Sequence, residues 1–295
     1  MFRQSIPGIL AVLLSACQAY PQAEPQMTAE VETAEPINVW RDVAPENLLL
    51  INTDHGQIAV ELNPGFAPAH VAQISRLAEN GTYTDSRFYR VIDAFVAQGG
   101  LFEDEKLDLI PSLKNENDRP LSDGMFVPLG NEDLFAERVG HIDGFAVAQD
   151  AALGREWLLH CPGAMAMARD SDPDSGGTEF YIVLDAQRYL DRNLTVFGRV
   201  ISGMQFVQKL KRGDRAIESG VIQAPEEGDT IHSIQLASQL DPAERPAFRV
   251  MQSQTAAFEE AKAEKRVRSD PFFYRTPPEV LDICGFEVPV EAVAD

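Results

Sequence analysis

Between Phe88 and Gly100 the chain reads Phe-Tyr-Arg-Val-Ile-Asp-Ala-Phe-Val-Ala-Gln-Gly-Gly, which sets Arg90 and Gln98 among apolar and aromatic residues. A guanidinium is a planar fork of N–H donors that keeps its charge, and its hydrogen bonds to oxygen strengthen where an apolar wall excludes water. Phe95 offers such a wall. On an extended strand residues two apart share a face, so Phe88, Arg90 and Ile92 are expected on one side and Tyr89 and Val91 on the other. Arg90 then stands at a rim, in reach of Phe95 and Gln98 beyond the bend. This is chemistry of binding and polarisation rather than of bond cleavage. A hydrolase would need a nucleophile beside a positioned base, whereas the five histidines are scattered and no Gly-x-Ser-x-Gly elbow occurs.

Two later blocks belong with this stretch. The first runs Gly163-Ala-Met-Ala-Met-Ala-Arg169-Asp170 and, after a polar turn, Gly177-Thr-Glu-Phe-Tyr-Ile-Val-Leu184. The second runs Tyr189-Leu-Asp-Arg-Asn-Leu-Thr-Val-Phe-Gly-Arg-Val200 and is followed by Gly203-Met204. In their order and spacing the three blocks resemble the cyclophilin family, whose signature is Phe-x-Arg-Val/Ile-Ile, then Phe, then Gln-Gly-Gly. The resemblance covers roughly residues 48–238, interrupted near 101–160. It implies a mainly β fold, a closed eight-stranded antiparallel barrel capped by two helices, and peptidyl-prolyl cis-trans isomerase activity without metal or cofactor.

A peptide bond resists rotation with a barrier of about 18 to 20 kcal/mol, and X-Pro isomers exchange in roughly tens to hundreds of seconds. A catalyst must grip the proline ring and favour the twisted state. The resemblance gives the catalytic part to Arg90, with Phe95 and Gln98. It implies a proline pocket of Phe95, Met167, Tyr181 and Leu190, and adds Ala168, Glu179, Tyr189 and Leu194 as substrate-binding positions. Several residues depart from the family pattern: Tyr89 replaces His, Val96 Met, Glu179 Gln, Tyr181 Phe, Tyr189 Trp and Leu194 His. These changes put cyclosporin affinity and substrate preference in doubt. Glu179 either pairs with Arg90 or competes for it with substrate. The alternative to an enzyme is a binding module for Pro-containing segments. Asp170 to Gly176 alternates acidic residues but lacks the glycine and glutamate of a calcium loop, so it reads as a polar turn.

The elements that must position these residues are legible in part. Leu48–Thr53 and Gln57–Leu62 flank Asp54-His55-Gly56 as a hairpin. Pro68 opens a helix carrying Val71, Ile74, Leu77 and Ala78 at helical spacing, and Asn80-Gly81 stops it. Strands follow at 86–97, 164–168, 180–184, 194–200 and 230–237, with a second helix near 203–211. Residues 101–160, charged and punctuated by Gly and Pro, read as an insertion of long loops. The extension 239–295 carries a helical pattern over 244–268, and its Phe272, Phe273 and Tyr274 are expected to pack on the barrel.

The N-terminus reads as an export leader over residues 1–17. Arg3 supplies a charge, Ile6 to Leu14 an apolar stretch, and Leu14-Ser15-Ala16-Cys17 resembles a bacterial lipobox, with a plain secretory signal as the alternative. Cys17 would then be a lipid anchor on the membrane surface, and residues 18–46, with four prolines and little apolar periodicity, an acidic tether. This predicts a periplasmic, membrane-tethered lipoprotein, and leaves Cys161 and Cys284 as a pair that an oxidising compartment permits to bridge. The net charge of −21 repels nucleic acid, and no apolar run is long enough for a membrane-spanning helix. The expected partners are Pro-containing polypeptides, bound by a monomer.

Overall fold

The computed structural model describes residues 38–101, 107, 109–122 and 124–293; the leader, Cys17 and the tether as far as Ile37 lie outside the described residues. In chain order the first strands are β1 (Trp40–Asp42), β2 (Leu48–Thr53), β3 (Gly56–Leu62), β4 (Ser86–Val91) and β5 (Val96–Gly100). The insertion contributes β6 (Arg119–Pro120), β7 (Val127–Pro128), β8 (Arg138–Ile142), β9 (Phe145–Asp150) and β10 (Arg155–Leu158). Then follow β11 (Ala164–Met167), β12 (Phe180–Val183), β13 (Val196–Ser202) and β14 (Asp229–Leu236), with β15 (Ala247–Met251) and β16 (Val290–Val293) in the extension. Three α-helices accompany them among the described residues: α1 (Pro68–Glu79), α2 (Met204–Val207) and α3 (Ala256–Arg266).

β11, β12, β5, β4, β14, β2, β3 and β13 close in that order into an antiparallel barrel, as expected. Leu48-Leu49-Leu50-Ile51 is apolar at every position because both faces of β2 are covered. Leu49 and Ile51 fill the barrel, while Leu48 and Leu50 join a second core outside it. Helix α1 starts at Pro68, whose missing N–H would be unpaired there anyway, and lays Val71, Ile74, Leu77 and Ala78 on the barrel interior. Past its end Gly81 takes a φ of +65°, which lets its N–H and that of Thr82 reach back to Ala78 and Leu77 carbonyls. The second helix is shorter than expected, a single turn over Met204–Val207.

The insertion is a correction. In place of long loops, residues 119–158 form a five-stranded sheet in the order β6-β10-β9-β8-β7. Ile142, Phe145, Val147 and Leu158 on one face bury against the outer wall of the barrel at Ala164, Ala166, Tyr181, Val183 and Val196. Val139, Ala148, Trp157 and Leu159 on the other face meet Val250, Phe258, Ile283, Phe286 and Val288 of the extension. The alternation was hidden because Glu156 and Gln149 are buried inside this sheet as a satisfied polar cluster. Arg119 and Gln149 donate to the Glu156 carboxylate at 2.8 and 2.9 Å.

The extension also differs from its expected single helix. Residues 247–251 are a strand that pairs with both β1 and β16, and the helix is confined to Ala256–Arg266, capped by Thr255. Because β1 lies within the segment expected to be a tether, the ordered fold begins earlier than residue 47. Phe272, Phe273 and Tyr274 do not pack on the barrel; they are 85%, 40% and 90% exposed. Cys161 and Cys284 are joined, tying the end of the insertion to the extension across 123 residues of sequence.

His141 lies in the outer core, 1% exposed and edge-on to Phe258 and Phe286, and neither ring nitrogen has a hydrogen-bond partner among the described residues. Burial, helped by the Arg199 and Lys262 charges, pushes its pKa down to about 3. The unfolded chain takes up a proton here near pH 6.5 and the folded chain does not. Stability from the neutral ring is therefore intact above about pH 6.5 and is lost as pH falls toward 3. In urea unfolding, His141→Phe is expected to reduce the loss of stability between pH 7 and pH 4 by about 3 kcal/mol; an unchanged loss would remove His141 as the cause.

Candidate active site

Three barrel strands carry the residues singled out by the sequence, and a bulge decides their direction. Arg87 pairs with Gly100 and Arg90 with Gln98, so β4 has three steps where β5 has two. An extra residue in one strand breaks the two-residue period and re-aims side chains. Phe88 and Val91 consequently both point into the barrel core, and Tyr89 and Arg90 both reach Gln98. The simple alternation expected for this strand is thus overturned. Across the outer wall the register continues from Gln98 to Tyr181, to Ala166 and to Val196. Arg90, Gln98 and Tyr181 stand side by side on adjacent strands.

At the polar end, Arg90 donates from Nη1 to Gln98 Oε1 at 3.0 Å and from Nε to the Ser219 carbonyl at 2.9 Å. That carbonyl is aimed by three successive residues of positive φ, Glu218, Ser219 and Gly220, at +43°, +54° and +92°. Gly220 is required, because a Cβ there would lie 2.6 Å from the Ile92 side chain. Gln98 Nε2 donates to the Tyr89 hydroxyl at 2.5 Å, and Tyr89 and Gln98 both hydrogen-bond the Glu179 carboxylate. Glu179 therefore pairs with these neutral groups and not with Arg90. Burial raises its pKa above the usual carboxylate range, opposed by the two hydrogen bonds and reinforced by the Asp170 charge. Burial likewise lowers the Arg90 pKa without removing its charge. Among the described residues nothing accepts from Arg90 Nη2, so the fork keeps a donor for a peptide oxygen or nitrogen.

The apolar end adjoins it. The Arg90 guanidinium lies 5.6 Å from the centroid of the half-buried Phe95 ring, and Arg215 lies at the same distance. Phe95 is presented by a tight turn in which Ala94 takes a φ of +53° and the Phe95 N–H reaches the Ile92 carbonyl. Val96 and Tyr181 are buried, with Phe95, Ala168 and Leu194 packed against their cluster. Leu190 is half-buried and Tyr189 59% exposed on the turn at 188–190. Met167 is not part of this recess. The alternation of β11 sends Met165 and Met167 into the barrel core and Ala164 and Ala166 outward.

The insertion supplies supports that sequence reasoning missed. His160, fully buried, sits 2.9 Å from the Tyr181 hydroxyl through Nε2 and 3.1 Å from Asp191 through Nδ1. The carboxylate can only accept, so Nδ1 carries the proton and Nε2 accepts from Tyr181. The oxygen that Tyr181 adds to the pattern is thus turned away from the recess. Asp191 also accepts from Arg188 at 2.6 Å, and Arg188 grips Asp133 of the insertion through two bonds of 3.0 and 3.1 Å. The signal was present in the Arg-x-x-Asp spacing of Arg188 and Asp191, but nothing local pairs it with Asp133, 55 residues away.

The sequence matches the family described as cyclophilin type peptidyl-prolyl cis-trans isomerase/CLD over residues 48–236. The chain belongs to this family. It is a peptidylprolyl isomerase. A probable peptidyl-prolyl cis-trans isomerase of Brucella suis is 33% identical over 62% of this chain and 80% of its own length. Peptidyl-prolyl cis-trans isomerase B of Bacillus subtilis is 30% identical over 55% and 87%. Among solved structures, a cyclophilin from Hirschia baltica superposes with a TM-score of 0.69 at 29% identity, covering 86% of this chain and 93% of that one. That likeness reaches well past the barrel, so the relative shares more than the cyclophilin core. The isomerase barrel here is braced on its outer wall at Ala166, Tyr181 and Val183 by a sheet of its own.

Arg188→Ala removes the guanidinium that the Asp133 and Asp191 side chains, both nearly buried beside the recess, share. It is expected to destabilise the fold by about 3 to 5 kcal/mol in chemical denaturation and to raise KM for a prolyl peptide more than it lowers kcat. An unaltered KM in a folded variant would show that the brace does not shape the recess.

Proposed function

We propose that X-Pro bonds are turned on the row Arg90–Gln98–Tyr181, and that the clients are exported polypeptides. The observation that carries the first part is the juxtaposition of a guanidinium, whose Nη2 is unengaged among the described residues, and the apolar recess of Phe95, Tyr181 and Leu194. The proline ring seats in the recess with Leu190 at its rim, and Tyr189 and Ala168 flank the bound chain. Arg90 donates to the peptide carbonyl oxygen and to the prolyl nitrogen as that nitrogen becomes pyramidal. This contact strengthens as the bond twists, so it lowers the barrier rather than merely tightening binding. Gln98, engaged by Arg90 and Tyr89, orients the fork. No covalent step is required.

The second part is supported by the disulfide between Cys161 and Cys284, since structural disulfides persist in oxidising compartments and are rare in the reducing cytosol. The leader and lipobox favour attachment to a membrane surface through lipid on Cys17, which places the isomerase where newly exported chains fold.

In a proline-limited peptide isomerisation assay the wild type accelerates exchange and Arg90→Ala loses about ten-fold or more, because a charge-assisted hydrogen bond contributes about 1.5 to 3 kcal/mol. Absence of acceleration by pure wild type would favour a binding module for Pro-containing segments. For the anchor, Cys17→Ser is expected to change the mass of the mature N-terminus by loss of lipid; an unchanged mass apart from the substitution would exclude lipidation.

A further inference from the structure

We infer that Glu179 selects substrates carrying a cationic side chain next to the X-Pro bond, a selection that rests on the outer-face row being the peptide site. Glu179 lies two residues from Tyr181, so the two share the outer face, about 7 Å apart along the strand direction. A lysine or arginine flanking a proline seated over Tyr181 can span that distance.

The carboxylate is built to need such a partner. It is half-buried, and its hydrogen bonds come from neutral groups, the Tyr89 hydroxyl and the Gln98 amide. Among the described residues no Lys, Arg or His forms an ion pair with it. A charge that bears on it is that of Asp170, which is also negative and lies at the end of the outer wall, where the Ala168 N–H bonds the Glu179 carbonyl. Partial burial weakens solvent screening and strengthens attraction to an incoming cation. At the far end of the row Arg90 and Arg215 flank Phe95. The groove is therefore polarised, with a negative end past Gln98 and a positive end at the catalytic fork.

The structure joins Tyr89 to Glu179 by a hydrogen bond. The phenol can donate to a carboxylate and so holds Glu179 at the wall without neutralising it. An anionic flanking residue meets repulsion at the same place.

The test uses the full chain and an uncoupled isomerisation assay with peptides carrying Lys, Ala or Glu at each of the two positions preceding proline. The Lys peptide is expected to exceed the Glu peptide in kcat/KM by about three- to five-fold at one of these positions. In Glu179→Gln the Lys-to-Glu ratio falls toward one; reading a ratio within each protein removes any general loss of activity. In the wild type the ratio also shrinks in about 1 M salt, where charges are screened within about 3 Å. It fades on acidification as Glu179 takes up a proton, at a higher pH than an ordinary carboxylate; the groups around it are Tyr83, Tyr89, Gln98 and Asp170. An equal ratio in wild type and Glu179→Gln, or no preference among peptides that the wild type turns over, would overturn the inference. A wild type that turns over none of the peptides would instead overturn the outer-face reading, and the selection with it.

Discussion

The bulge between Arg87 and Arg90 decides which side chains leave the barrel, and the site depends on that decision. With a regular ladder, Phe88 and Arg90 would share a face and one of them would be misplaced: either an aromatic in water or a charge in the core. The extra residue resolves the conflict. Phe88 and Val91 stay inside, Arg90 emerges opposite Gln98, and Tyr89 is left on the outer side to bond the same amide. Bulges recur next to active sites because they re-aim one side chain at little cost to the rest of the sheet.

Everything outside the barrel follows from a second constraint, that its outer wall is apolar alongside the recess. Val96, Ala166, Tyr181, Val183 and Val196 would be a large exposed patch without a cover. The inserted sheet covers it, and in turn exposes Val139, Ala148 and Trp157 on its own outer face, which the C-terminal extension covers. The disulfide pins the last layer to the end of the insertion. The layers also explain why the recess carries so many supports: His160, Arg188 and Asp191 stand where the insertion meets the turn that forms its rim. The inserted sheet is the scaffold of the face that carries the recess.

Much of this was legible in the sequence, and the failures have physical causes. The blocks around Arg90, Gly163 and Tyr189 disclosed the fold through their resemblance to the cyclophilin family, and the structure sets them in register on neighbouring strands. The bulge was not legible because an alternation of period two contains no mark of an inserted residue. Met167 was misplaced for a related reason: its neighbours Ala166 and Ala168 are small, and only the register shows that the methionines face inward. The inserted sheet was hidden by Glu156, Gln149 and His141, polar residues buried at positions where alternation should be apolar. Strand β15 carries a helical pattern in its sequence, and its partner, β1, lies some two hundred residues earlier, beyond the reach of local pattern.

In the proposed function, one outer-face row, set by a bulge and braced by the insertion, is where the X-Pro bond turns. A structure of the full chain with a bound Pro-containing peptide tests it most directly. The proline ring is expected on Phe95, Tyr181 and Leu190, with the prolyl carbonyl oxygen within about 3 Å of a guanidinium nitrogen of Arg90. A peptide bound elsewhere, or a proline ring in the recess with its carbonyl turned away from Arg90, would contradict it.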